Sequence, residues 1–177
     1  MTQDLALDRE LLYKGIGKII VEFQFIEHEV ADVLATLLQM HHPTDVHRIT
    51  AAMSYAQKVD LMCDLHPDRH NPLWPPVDIK ATRDALKAAE EFRNTVTHSF
   101  WYVSGADATW MRTKANLRSK NRLTLVTGKV NLDALVEGAQ ALTVIRDWYL
   151  GQTGKIVDAT IDLRSLAKAL NFDSSSE

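Results

Sequence analysis

Cysteine is almost missing from this chain: Cys63 is the single one in 177 residues. No intramolecular disulfide can form, and a reducing compartment, the cytoplasm, is the natural expectation. Long apolar runs are missing as well. No stretch of about 18 apolar residues occurs, so no membrane span is expected, and Met1-Thr2-Gln3-Asp4 lacks the basic start and apolar run of a signal peptide. Positive charge is not in excess, with 20 Lys and Arg against 23 Asp and Glu. A nucleic-acid surface would therefore have to be a local patch. There is no Gly-rich phosphate loop, Ser/His/Asp arrangement or nucleotide fingerprint. Proline is scarce: all five fall at Pro43 or between Pro67 and Pro76, which leaves the other segments open to uninterrupted helix.

What remains is a helix-forming sequence. A hydrophobic share of 46% and a charged share of 24% suit one well-buried core, and the length is short for two domains. Leu12, Ile16, Ile19, Phe23, Ile26, Val30, Val33 and Leu37 recur at spacings of four and three. That spacing predicts a long first helix, capped near Asp8 and stopped at His41-His42-Pro43. A second helix is expected over about 44–65, followed by a proline-rich loop from His66 to Val77. The third, about 78–99, carries Ala85, Ala89, Phe92, Val96 and Phe100 as its apolar stripe. Alternation over 109–117 and β-forming residues over 123–127 predict a β-hairpin. The fourth helix starts with Asn131 as N-cap and buries Leu132, Leu135, Ala139, Leu142, Ile145 and Tyr149. A short last helix is expected over 165–170. The expected fold is all-α: one domain over 1–170, an up-and-down four-helix bundle with a β-hairpin (about 101–130) between helices three and four. Residues 171–177 read as a disordered tail.

Reactive groups concentrate near the end of the third helix. In Glu90-Glu91-Phe92-Arg93-Asn94-Thr95-Val96-Thr97-His98, an arginine, a carboxamide and an imidazole fall within two turns. The imidazole of His98 can exchange a proton near neutral pH. The planar fork of Arg93 matches phosphate oxygens, and Asn94 lies one turn before His98. On an ideal helix Arg93 and His98 point about 140° apart, so one phosphate would meet both only through the long arginine stem, a frayed end or a second protomer. The structural alternative is a solvated helix end, with His98 on the helix dipole and Arg93 bridging to Glu90 or Glu91.

Arg93-Asn94 and His98 resemble the Arg-Asn-x-x-x-His element of the HEPN superfamily, whose members are small helical bundles. The resemblance implies a metal-independent endoribonuclease, or a toxin or defence effector acting on RNA, with Arg93, Asn94 and His98 as catalytic residues. It also implies two copies of the motif paired across a homodimer, no cofactor, and a protein inhibitor or antitoxin as partner. Members paired with a nucleotidyltransferase antitoxin often carry a tyrosine two residues after the histidine. Here that position is Phe100, with Tyr102 two further on, which speaks against regulation through such a tyrosine. The rival expectation is a non-catalytic helical module that binds a protein partner or regulates one.

Two further groups invite a function. Arg112, Lys114, Arg118, Lys120, Arg122 and Lys129 form a basic patch on the hairpin, interleaved with Trp101, Tyr102 and Trp110. The first five are candidate RNA contacts, since phosphate attraction plus aromatic stacking grips single strands; lysines blunting a sheet edge are the plainer account. Cys63, His66 and His70 stand at ligand-like spacings, and His41, His42 and His47 cluster in sequence. No fourth ligand presents itself, so no structural zinc is expected, and Cys63 reads as a small core residue.

Overall fold

The computed structural model describes residues 2–69, 76–105, 109–116, 124–150 and 153–170. It is mostly helical, in the order α1 (Thr2–Leu37), α2 (Pro43–Ala51), α3 (Tyr55–Arg69), α4 (Ile79–Thr97), β1 (Ser99–Val103), β2 (Trp110–Asn116), β3 (Thr124–Lys129), α5 (Leu132–Arg146), a 3₁₀ turn (Trp148–Leu150) and α6 (Thr153–Leu170). The turn between the two expected strands, Ser119-Lys120-Asn121, lies outside the described residues, as do the tail and His70.

Helix α1 is the spine. Its seam residues Leu12, Ile19, Phe23, Ile26, Val30, Leu34 and Leu37 are buried, and it packs along α5, α3 and α4. Helix α6 closes the other side against α4 and α5. The helices approach closely where a side chain is missing. A Cβ on Gly138 would come within 2.1 Å of the Phe92 ring, and one on Gly15 within 2.9 Å of Leu135. One apolar core draws on α1, α3, α4, α5 and α6, with Trp110 from the sheet.

Five expectations need correction. The first helix begins at Thr2, so Asp8 lies within α1 and does not cap it. The single second helix is two, because Ser54 and Gln57 form a reciprocal cap: Ser54 N donates to Gln57 Oε1 at 2.8 Å and Gln57 N to Ser54 Oγ at 3.3 Å. Proline is not confined to loops. Pro43 opens α2, where its missing donor costs nothing, and Pro67 lies inside α3, near its end, where one ladder bond is lost. The hairpin is a three-stranded antiparallel sheet in the order β1-β2-β3, because Ser99–Val103 leaves the helix and pairs with β2. The last helix is not short: α6 has 18 residues.

Two core assignments move with these boundaries. Phe100, expected on the buried stripe, is 71% exposed, because the chain period changes from helix to strand just before it. Tyr149 is also exposed; the 3₁₀ turn buries Trp148 in its place. Asn131 does cap α5, its side chain accepting from Asp133 N at 3.0 Å. Asp78 caps α4 in the same way, through Ala81 N.

Candidate functional site at the carboxyl end of α4

The last turn of a helix leaves carbonyl oxygens without intrahelical donors. In α4 the chain that follows supplies them. His98 N donates to Asn94 O, Ser99 Oγ to Thr95 O at 2.6 Å, and Trp101 Nε1 to Val96 O at 3.2 Å. Arg112, on β2 opposite Trp101, reaches back so that Nη1 donates to Thr95 O at 3.3 Å, and Lys114 Nζ lies 3.5 Å from Thr95 Oγ1. Two cationic side chains thus lie at the negative end of the α4 dipole. The inner face of the sheet, carrying Trp101, Val103, Trp110, Arg112 and Lys114, is clamped onto the end of α4.

This changes the standing of the basic patch. Arg112 is 2% exposed, and burial lowers its affinity for a proton relative to an ordinary guanidinium. It is not on an open surface where RNA could reach it; it caps α4. Lys114 is half-buried on the same inner face. Arg118, Lys120 and Arg122 lie outside the described residues. Trp110, Arg112 and Lys114 share one face of β2, and that face turns inward.

The motif residues divide. His98 is the C-cap of α4 and exposed, and Asn94, one turn earlier, is half-buried. Arg93 leans toward α1. Its guanidinium carbon stands 4.2 Å over the Phe23 ring, whose centroid lies 4.9 Å from that of Tyr55. Arg93 Nε is buried and has no hydrogen-bond partner among the described residues. Glu90 lies beside it. Burial raises the Glu90 carboxyl above its ordinary value, and Glu27 adds to the rise while Arg93 and Lys87 oppose it. Across the same junction Lys58 Nζ meets Glu27 Oε1 at 2.8 Å, with Lys58 almost wholly buried. Arg93 is therefore seated in a polar junction between α1, α3 and α4, and His98 opens to solvent past its end. The structure does not bring the two together within one chain.

Other places offer less. A cleft of about 550 Å³ between α5 and α6 is lined by Glu137, Asp158 and Asp162 with Lys155, the wrong balance of charge for a phosphate. Cys63 is buried next to Arg83, and burial pushes its thiol up, which makes it a poor nucleophile or ligand. Among the described residues no group of three His, Cys, Asp or Glu stands close enough to share a metal ion, and no helix is long and apolar enough to cross a membrane. No family model matches this chain, and neither a curated protein nor a solved structure matches it.

Proposed function

We propose that the chain is an HEPN-like helical protein that binds RNA at the carboxyl end of α4 and cleaves it without a metal, a second copy completing the site. The observation that carries this reading is the exposure of His98 on a helix end that the sheet holds rigid, with Asn94 one turn behind it. In the reaction, an imidazole takes the proton of a ribose 2′-hydroxyl as its oxygen attacks the adjacent phosphorus. The bond from phosphorus to the 5′ oxygen then breaks, and that oxygen receives a proton. The products are a 2′,3′-cyclic phosphate and a 5′-hydroxyl. A guanidinium would stabilise the added charge on the phosphorane. Because Arg93 leans toward α1 and away from His98 of its own chain, while staying only half-buried, that guanidinium is best supplied by Arg93 of another protomer, in a homodimer.

A second reading rests on the seat of Arg93 itself. A guanidinium over a ring and beside a carboxyl is a good structural clamp between helices, and a non-catalytic module binding a protein partner would need nothing more. One assay separates the two. Wild type and His98→Ala are incubated with RNA in EDTA, and the ends are analysed. We expect cyclic-phosphate ends from the wild type and a loss of about 100-fold or more in the variant. Equal background signal from both leaves the module.

A further inference from the structure

The outer face of the sheet presents the exposed ring of Phe100 beside the half-buried ring of Tyr102. Phe100 and Tyr102 alternate along β1 and stack on each other, with centroids 5.8 Å apart and planes at 24°. Register places Thr113 and then Thr127 across from Phe100, and Met111 and then Lys129 across from Tyr102. The two threonine hydroxyls meet at 2.8 Å, so this row shares one face. Lys129 is exposed, two strands or about 10 Å from the rings. A single exposed phenylalanine would need no explanation. Here the ring is 71% exposed, is held in orientation by a second ring, and begins two residues after His98.

We propose that Phe100 and Tyr102 form a stacking platform for an unpaired nucleobase, which presents a single-stranded RNA to His98. This rests on the RNA reading above and gives it a substrate class: single strands, held by a base rather than read by sequence. An aromatic face attracts any base, because every base has a π-face. Duplex RNA hides its bases in the stack and cannot use such a surface. The Tyr102 ring braces Phe100 on one side and leaves the rest of it open. Among the described residues, Lys129, and not the buried Arg112, is the cation on this face available to a phosphate. The occupant is a base rather than an apolar protein surface, since the row beside Phe100 carries two threonine hydroxyls and the row beside Tyr102 passes Met111 to end on a lysine.

The test measures binding of the full-length chain by fluorescence anisotropy. Its probes are a labelled single-stranded RNA of about 12 nucleotides, its duplex, and an abasic strand of equal length. We expect the single strand to be preferred and Phe100→Ala to weaken it about tenfold, whereas Phe100→Trp retains it. The slope of affinity against salt should stay the same in Phe100→Ala, because no charge is removed, and the abasic strand should not notice the change. Equal binding by wild type and Phe100→Ala overturns the platform, as does a wild type that binds duplex and single strand alike or binds neither. A change of mass in Phe100→Ala by light scattering would also overturn it, by making this face a contact between copies. His98-dependent cleavage with Phe100-independent binding removes the platform and keeps the nuclease. Phe100-dependent binding with no cleavage does the reverse.

Discussion

Arg93 and Asn94 are neighbours in sequence with different surroundings, and the 100° step between them is the reason. One step carries the guanidinium into the junction with Phe23, Glu27, Lys58 and Glu90; the other leaves the carboxamide on the side of His98. The Glu90 carboxyl is the strained member. Its hold on a proton is stronger in the folded chain than in the unfolded one, because burial outweighs Arg93. Its contribution to stability is therefore complete in acid, below the unfolded carboxylate value, and is lost as pH rises through the folded value. Glu90→Gln should melt slightly above wild type at pH 7, by about a degree because solvent screens this half-buried carboxyl, and the gap should close on acidification toward about pH 4. Thermal melts at both values check it. A variant less stable than wild type at neutral pH would mean that the attraction between Glu90 and Arg93 dominates instead.

Between elements, the joint of α4 with the sheet is what aims His98. Arg112 is its key: a buried cation whose donor meets a carbonyl that the helix cannot satisfy. Arg112→Met keeps the bulk and removes the donors, and should cost about 1–3 kcal/mol in urea unfolding. Hydrogen exchange should speed up in the last turn of α4 and in β1 before other segments. Unchanged stability would show that Ser99 and Trp101 cap the helix alone. Much of this architecture was legible in the residues. The seam of α1, the Asn131 cap and the stripe of α4 follow from spacing alone. The break between α2 and α3 was legible too, since Ser54-x-x-Gln57 is a capping pair, but the apolar spacing from Val46 to Cys63 runs through it. Strand β1 was obscured for a physical reason: Val96 to Phe100 is also a helical step of four. The inward turn of Arg112 was hidden because it depends on orphan carbonyls of a distant helix end, which no local pattern records.

At the scale of the whole molecule, the seat of Arg93 and the exposure of His98 turn the proposed catalysis into a question of assembly. If each site takes its arginine from one protomer and its histidine from the other, two inactive variants should rescue each other. Arg93→Ala and His98→Ala, mixed in equal amounts, unfolded and refolded together, give about half mixed dimers. Each mixed dimer holds one site with both groups intact and one with neither, so activity should return to about a quarter of wild type. Either variant refolded alone should stay inactive. A mixture that stays as inactive as its components would mean that both groups act within one chain, which would require Arg93 to leave the Phe23 ring and cross to the far side of α4. The ratio of arginine to histidine variant adds a second handle: recovery should peak at equal amounts and fall symmetrically on either side, because only the mixed species carries an intact pair.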